Sequence, residues 1–246
     1  FLFMKVNFIS LLLLTLTCWI FDVPAITIIS QNLQCGQAQI HERVGRLVEH
    51  VMTLKADVLA LQEVCSDESL DVALLMKQQL MQHGFEVKFF DRLFTHLGYE
   101  HFEEELVIFS RLDVDEATKG YLPYSPLRRG YLAIHIGQNW YVNTHLTHES
   151  EASTLRFQQM EFLAKKYSGQ SAIILGDFNA GPKERESQAF LGHKYHPYFP
   201  GPTWPSRAPL HSYDGFWCNF LPPLPPTTHL LEDIGSDHLG ITLNFL

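Results

Sequence analysis

Short apolar runs alternate along the chain with segments in which apolar residues recur at helical spacing. Residues 26–31 and 57–62 have the length and aliphatic content of buried strands. Between them, residues 40–55 carry apolar side chains three and four positions apart, which predicts an amphipathic helix. The alternation continues: helices are predicted over 67–83, capped by Ser66 or Asp67, and over 152–167, and strands over 85–90, 105–110, 131–136, 140–146 and 171–175.

The order of these elements predicts an α/β fold. Strands outnumber helices, and the pair Gly137-Gln138 separates two strands that would fold back on each other as a hairpin. Hairpins argue against a purely parallel sheet, so the pattern favours two mixed sheets packed face to face with helices outside. No shift in composition marks a linker, and we therefore predict a single domain.

The N-terminal segment has a different character. Residues 8–21 form an uncharged apolar run that follows Lys5. A membrane-spanning helix needs ~20 apolar residues, so this run suits a signal peptide with a cleavage position at Ala25. We predict a signal peptide or hydrophobic segment over 1–25, a domain over 26–246, and a secreted or periplasmic protein. Membrane anchorage is one alternative, and a strand or helix packed on the domain is another.

Charge and cysteine content narrow the function classes. The chain has 18 Lys and Arg residues against 27 Asp and Glu residues, a formal net charge of −9. This balance excludes a protein that holds nucleic acid by bulk positive charge, but not a nuclease that contacts phosphate through a bound cation. Beyond the predicted signal, Cys35, Cys65 and Cys218 show no metal-binding spacing, which leaves one disulfide with a free thiol as an open alternative.

Polar residues recur at the ends of the apolar strands. They are Asn32, Glu63, Asn143, His145, Asp177, Asn179, Asp237 and His238. Packed α/β sheets bring strand ends together at one rim, so several carboxylates would share one pocket. A divalent cation is their natural counter-charge, and oxygen and amide ligands without cysteine favour Mg²⁺ or Mn²⁺.

The motifs at these positions resemble a known family. Asn32, LQEV at 61–64, NTHL at 143–146, GDFN at 176–179 and SDH at 236–238 stand in the order and spacing of the endonuclease/exonuclease/phosphatase superfamily, which includes DNase I-like nucleases and neutral sphingomyelinases. The resemblance covers residues 26–246. It implies a DNase I-like, four-layered α/β/β/α sandwich, in agreement with the mixed sheets predicted from the pattern.

The resemblance also implies a metal site. Glu63 is similar to the principal metal ligand of the family, with Asn32 beside it as a metal or phosphate contact. Asp237 is then left as a further metal or phosphate-facing acid. The implied cofactor is Mg²⁺ or Mn²⁺.

The remaining motif residues resemble catalytic groups. Asp177 resembles the residue that activates or positions the attacking water, and Asn179 the amide that orients water and phosphate. His145 resembles a phosphate-binding histidine. His238 resembles the histidine that stabilises charge on the pentavalent phosphorus, and Asp214, in HSYDGFW, the carboxylate that orients it.

These observations predict a metal-dependent phosphoesterase acting on a phosphodiester, in the first place a nuclease. A sphingomyelinase-like lipid or small-molecule phosphodiesterase is the alternative, favoured by the acidic charge, and a non-catalytic binding module is the third. The predicted partner is the substrate, nucleic acid or a phospholipid head group, with no protein partner inferred. Specificity would lie in loops at 91–103, 121–129 and 191–209.

Some residues allow two interpretations from sequence alone. One acid of Glu103-Glu104-Glu105 faces the site, or the three form a solvated loop. Arg128-Arg129 contact substrate phosphate, or they form a surface pair. Four aromatic residues form either an apolar rim for lipid or stacked bases, or part of the core. They are Trp204, Phe216, Trp217 and Phe220.

Overall fold

A computed structural model describes residues 25–36, 38–97, 102–124, 127–149 and 151–245. The strands are β1 Ile26–Asn32, β2 Val58–Ser66, β3 Phe89–Leu97, β4 Glu103–Ser110, β5 Glu116–Tyr121, β6 Gly130–Ile136, β7 Asn139–His145, β8 Ser171–Asp177, β9 His196–Tyr198, β10 Asp214–Cys218, β11 Thr227–Leu230 and β12 Ile241–Phe245. The helices are α1 Ile40–Thr53, α2 Val72–Gln82, α3 Ser153–Lys166 and α4 Gln188–Gly192, with a 3₁₀ turn at Arg185–Ser187.

Two six-stranded mixed sheets are built around one parallel pair each. The first sheet has the order β11-β12-β1-β2-β4-β3 and the second β5-β6-β7-β8-β10-β9. The pairs β1/β2 and β7/β8 are parallel, while the remaining neighbours are antiparallel. Helix α1 connects β1 to β2, and α3 connects β7 to β8, so each sheet has a βαβ unit at its centre.

Three apolar layers hold the four structural layers together. One packs α1 and α2 on the outer face of the first sheet, through residues such as Val44, Leu47 and Met76. A second packs α3 and α4 on the second sheet. The third, which includes Ile28 and Ile173, lies between the two sheets. The α/β/β/α sandwich predicted from the sequence is therefore confirmed.

Local boundaries differ most from the prediction at two places. Helix α2 begins at Val72 because Asp71 accepts the Leu74 N–H as its cap, whereas Asp67 closes a turn onto the N–H groups of Ser69 and Leu70. The strand predicted over 85–90 begins at Phe89 and runs to Leu97. It therefore occupies residues that the sequence analysis assigned to a specificity loop.

The predicted signal segment, residues 1–25, lies outside the described residues apart from Ala25. Among the described residues, no helix is both long and apolar enough to cross a membrane. A disulfide joins Cys35 to Cys65 with a Cα–Cα distance of 5.2 Å, and Cys218 is buried with a free thiol. This is the arrangement of one bridge and one thiol that the sequence left open.

Candidate active site

The carboxyl ends of the two parallel pairs meet at one rim of the sandwich. Asn32 ends β1, and Glu63 lies at a bulge in β2, where the pairing with β4 shifts between Leu61 and Val64. In the second sheet, His145 ends β7 and Asp177 ends β8. Because parallel neighbours direct their carboxyl ends the same way, each sheet delivers two polar side chains to the same place.

In the second sheet, register aligns three functional residues. Asp177 pairs with His145 of β7 on one side and with Asp214 of β10 on the other. Residues directly opposite each other in neighbouring strands project from the same face, so the three side chains stand next to one another. Gly176 has φ +133°, and a Cβ there would overlap the carbonyl oxygen of Thr144. The glycine of GDFN therefore allows β7 and β8 to approach this closely.

Asp177 is the centre of the site. It is 1% exposed, and its Oδ2 lies 3.6 Å from Nε2 of both His145 and His238. The Asn32 amide donates to the same oxygen at 3.0 Å, and the Asn179 N–H donates to Oδ1 at 2.9 Å. Burial raises the pKa of the carboxyl, but the two histidines and these donors outweigh it and lower the pKa below its ordinary value.

His238 is held by Asp214. Its Nδ1 lies 2.8 Å from Oδ2 of Asp214, and both side chains are almost fully buried. Burial alone would lower the pKa of His238, but Asp214 and Asp177 raise it to about 10, so the ring is an imidazolium at neutral pH. Burial raises the pKa of Asp214. Gly215 follows Asp214 because a Cβ there would overlap the ring of Phe199.

His145 is held by a cation instead. Arg129 is 3% exposed and its Nη1 donates to Nδ1 of His145 at 2.9 Å and to Glu104 Oε1 at 2.8 Å. Glu104 Oε1 lies farther from the same ring nitrogen, at 3.6 Å. A nitrogen that accepts from a guanidinium carries no proton, so the ring N–H lies on Nε2, facing Asp177 and, at 3.9 Å, Glu63.

Glu104 and Arg129 were only alternatives in the sequence analysis. The structure buries both, so Arg129 does not belong to a surface pair, and Arg128 alone is exposed. Burial would raise the pKa of Glu104, but His145, Arg129 and His96 around it lower it to about 2. The ionised carboxylate thus fixes the Arg129 guanidinium against His145.

The Glu63 carboxylate is partly open to solvent, with its side chain 24% exposed. Its Oε1 accepts from the Asn32 amide at 3.0 Å and its Oε2 from the Cys35 N–H at 3.0 Å. The Asn32 oxygen accepts from Gln34, so the amide nitrogen faces both Glu63 and Asp177. One amide nitrogen thus draws the oxygens of two carboxylates together.

This donor set fits a divalent cation. Ligand atoms of Glu63, His145 and Asp177 all lie within 4.8 Å of one another. With the His145 N–H on Nε2, the oxygens of Glu63 and Asp177 would hold the ion. Hard oxygen donors suit Mg²⁺ or Mn²⁺.

Two predicted residues lie at the edge of this cluster. Asn179 donates its side-chain amide to the carbonyl of Leu146 at 3.1 Å. Asp237 accepts from the indole of Trp204 at 3.4 Å, and burial raises its pKa. Side-chain contacts link five of the predicted residues to Asp177, either directly or through one neighbour: Asn32, Glu63, His145, Asp214 and His238.

Residues behind the site join the two sheets. Gln62 of β2 donates to Asn143 of β7 at 2.7 Å, and the Asn143 amide returns to the carbonyls of Leu61 and Val107. Both side chains are fully buried. The sequence motifs LQEV and NTHL included these residues, but only the structure shows that they contact each other across the interface.

The four aromatic candidates separate into core and surface. Phe216 and Trp217 are fully buried in the core, and Phe220 packs partly buried between the sheets. Trp204 is partly exposed beside Asp237 and stacks on Tyr213 at 5.7 Å between ring centroids. Only Trp204 therefore lies beside the cluster around Asp177.

The fold and the site together are those of an α/β/β/α phosphoesterase. The chain belongs to the Endonuclease/Exonuclease/phosphatase family, whose model matches residues 29–238. Members of this family are hydrolases that act on phosphoester bonds, and they generally use a divalent metal. No curated protein matches the chain by sequence.

Solved structures share the fold. A family protein from Leptotrichia buccalis C-1013-b gives a TM-score of 0.75 at 17% identity, covering 90% of this chain and 99% of that one. TDP2 from D. rerio in complex with a single-strand DNA product gives 0.69 at 17% identity, with the same coverage. A mannosyl-6-phosphatase from Bacteroides thetaiotaomicron VPI-5482 gives 0.67 at 17% identity, also with 90% and 99% covered. At these identities the similarity shows the fold alone.

Proposed function

We propose that the protein is a divalent-metal-dependent phosphodiesterase that uses water as the nucleophile. The observation that carries the proposal is the Asp177 carboxylate, held between two histidines of opposite hydrogen-bonding character and drawn towards Glu63 by Asn32. One buried position therefore combines an anionic acceptor, a cation and an N–H donor. These are the groups that hydrolysis of a phosphate diester requires.

Each group has a distinct part in the proposed reaction. The water oxygen bonds to phosphorus, its proton passes towards Asp177, and the bond from phosphorus to the leaving oxygen breaks. The leaving oxygen takes up a proton, so the products are an alcohol and a phosphate monoester. The His238 cation stabilises the negative charge that grows on the phosphoryl oxygens, and the His145 N–H donates to one of them.

The oxygens of Glu63 and Asp177 are the proposed holders of the metal ion. When bound, a divalent cation neutralises charge on phosphate oxygens that the acidic site would otherwise repel. Asn32 would keep both carboxylates close enough to share the ion, because its amide contacts each at 3.0 Å. Mg²⁺ is the first candidate and Mn²⁺ the second.

Nucleic acid is the first candidate substrate, which makes the protein a nuclease. The similarity to a TDP2 that holds a single-strand DNA product supports it. The net charge of −9 weakens it, since polyanions gain little long-range attraction from such a surface. A second candidate, the phosphodiester of a sphingomyelinase-like enzyme, is favoured by the same acidic charge.

The test is hydrolysis of bis(p-nitrophenyl) phosphate with Mg²⁺, with Mn²⁺ and with chelator. We expect metal-dependent release of p-nitrophenol, and much slower release from p-nitrophenyl phosphate, a monoester. A panel of single-stranded DNA, duplex DNA, RNA and sphingomyelin vesicles then separates the substrates. Equal activity of wild type, Glu63→Ala and His238→Ala would contradict the proposal and favour a non-catalytic binding module.

A further inference from the structure

The chain between β1 and α1, residues 33–39, carries two backbone donors that hold the proposed metal site. The Gln34 N–H donates to Oδ1 of Asn32 at 2.8 Å, and the Cys35 N–H donates to Oε2 of Glu63 at 3.0 Å. The first bond turns the amide nitrogen of Asn32 towards the two carboxylates that it contacts. Neither donor belongs to a helix or a strand, so the site depends on how this loop is held.

A single buried side chain gathers the backbone of the loop. Arg43 lies in the first turn of α1 and is 3% exposed. Its Nη1 donates to the carbonyl oxygens of Leu33 and Gln34, and its Nη2 to those of Gly36 at 2.8 Å and Ala38 at 2.6 Å. The donors of a guanidinium point in fixed directions from one plane, which suits the capture of several carbonyls at once.

The same arginine lies against the segment that carries His238. A Cβ at Gly235 would stand 3.5 Å from Cγ of Arg43, so the chain just before the SDH motif passes directly over the arginine stem. The Asp237 N–H donates to Oε1 of Gln34 at 3.2 Å, which ties that motif to the loop. The loop that Arg43 holds therefore contacts both sides of the site.

We propose that Arg43 is a positioning residue, which fixes the loop so that Asn32 and Glu63 are held in place for a divalent cation. The inference rests on the proposed metal-dependent function and adds to it a residue that acts through the backbone. All four bonds of the guanidinium go to backbone oxygens, so its loss leaves four carbonyls without a charged donor. The N–H groups of Gln34 and Cys35 then lose their fixed places, and the metal ligands lose their support.

Arg43→Met tests the proposal, because it removes the donors and keeps an unbranched apolar side chain in the buried position. We expect the dissociation constant of Mn²⁺, measured by calorimetry on metal-free protein, to rise about tenfold or more, as for other groups that orient metal ligands. The matched control is Arg46→Met on the same helix, whose side chain is 52% exposed and pairs with Glu42. It should leave the dissociation constant at its wild-type value.

Kinetics and a conservative variant separate positioning from a merely structural role. In Arg43→Met, the Mg²⁺ concentration for half-maximal hydrolysis of bis(p-nitrophenyl) phosphate should rise by the same factor, whereas kcat at saturating Mg²⁺ should approach the wild-type value. Arg43→Lys keeps the charge without the planar fork, so Mn²⁺ binding should weaken to a smaller extent. Circular dichroism checks the fold, and the lysine variant carries the test if the methionine variant does not fold.

Binding is measured without turnover, so the outcomes separate this inference from the proposed function. Glu63→Ala should lose Mn²⁺ binding, which locates the measured ion at the proposed site. Wild-type Mn²⁺ affinity in a folded Arg43→Met or Arg43→Lys variant overturns the positioning role, as does a loss of kcat that saturating Mg²⁺ does not restore. Mn²⁺ binding that Arg43→Met weakens, in a protein that cleaves no diester, supports the positioning role and contradicts the phosphodiesterase. A wild-type protein that binds no Mn²⁺ overturns both.

Discussion

His145 and His238 approach the same oxygen from two sides and are held by opposite charges. Each places Nε2 3.6 Å from Oδ2 of Asp177, and both rings are buried. At Nδ1, His238 faces the Asp214 carboxylate at 2.8 Å, whereas His145 accepts from the Arg129 guanidinium at 2.9 Å. The group that contacts Nδ1 of each ring therefore decides the hydrogen-bonding character that the ring presents to Asp177 at Nε2.

The difference shows how one residue type supplies two chemical roles in one pocket. A carboxylate at Nδ1 favours the charged ring, so His238 is a cation beside the reacting phosphate. A guanidinium at Nδ1 requires an acceptor there, so His145 offers an N–H donor at Nε2.

The largest effect on activity is expected from removing the negative charge of the Asp177 carboxylate, which both histidines approach. Asp177→Asn replaces the anionic acceptor with a neutral amide, and kcat for the diester should fall about 1,000-fold. Steady-state kinetics with Mg²⁺ measures the loss, and circular dichroism confirms that the sheets are retained. A decrease of less than tenfold would mean that Asp177 does not take part in the reaction.

Substituting each histidine with glutamine tests whether the difference in charge between them matters. Glutamine keeps an amide donor but carries no charge. His238→Gln loses the cation, and kcat should fall about 100-fold or more. His145→Gln keeps an N–H donor and should lose only about tenfold. Equal losses in the two variants, measured on the same diester, would show that the charge difference has no part in catalysis.

Asp214→Asn tests the origin of the His238 charge. The pKa of His238 is raised from 6.5 to about 10, so its charged form stabilises the fold fully below about pH 6.5 and that contribution is lost as pH rises towards 10. In the variant the pKa falls, so the alkaline limb of the kcat profile moves to lower pH. The unfolding free energy, measured with chelator, should decline less between pH 6.5 and 10 than in wild type.

Arg129→Met removes the guanidinium that donates to Nδ1 of His145. It leaves the buried Glu104 with only His96 and His145 beside it, and loss of the buried ion pair should cost about 3–5 kcal/mol of unfolding free energy. Because the pKa of Glu104 is lowered from 4.5 to about 2, its stabilising contribution holds above pH 4.5 and is lost as pH falls towards 2. Chemical denaturation between pH 2 and 7 should therefore show less acid sensitivity in the variant.

A double variant separates stability from the tautomer of His145. Arg129→Met/Glu104→Met removes both charges and brings in no new donor, so most of the lost stability should return. The Nδ1 atom of His145 still lacks its donor, so kcat should stay about tenfold below wild type. Nitrogen NMR of the His145 ring reports the tautomer directly, and an unchanged spectrum in Arg129→Met would contradict the assignment.

The smallest effect on activity is expected from the disulfide. Cys35 donates its N–H to Glu63, and Cys65 follows Glu63 by two positions, so the bridge supports the His145 side of the site. Cys35→Ala/Cys65→Ala should lower the apparent affinity for Mg²⁺ a few-fold, roughly as for residues that support metal ligands. The alkaline limb of the pH profile, set by His238, should not move.

Much of the fold and most of the site could be predicted from the sequence. The buried strands are marked by continuous apolar runs, and the functional residues follow those runs directly, as Asp177 does after β8. Strand β5 gave no such signal because most of its side chains are exposed at a sheet edge. The start of α2 was misplaced because Ser66, Asp67 and Asp71 are equally good caps by composition.

The partners of His145 could not be predicted from residue type. Three consecutive acids begin β4, and the one that reaches the site is chosen by register, since Glu104 lies opposite Cys65 and beside an irregularity in β3. Arg129 is likewise one of two adjacent arginines. Pairing between strands decides which side chain turns inward, and a single sequence carries no direct record of it.

The site is divided between two sheets that pack through apolar side chains and through hydrogen bonds such as the one from Gln62 to Asn143. Glu63 and Asn32 belong to one sheet, and Asp177 to the other. A sliding movement of one sheet over the other would leave every strand intact and still separate the catalytic groups. The rate of turnover therefore depends on how the two sheets pack against each other. Under mild denaturant, we expect turnover to fall as the interface loosens, before the strands themselves are lost.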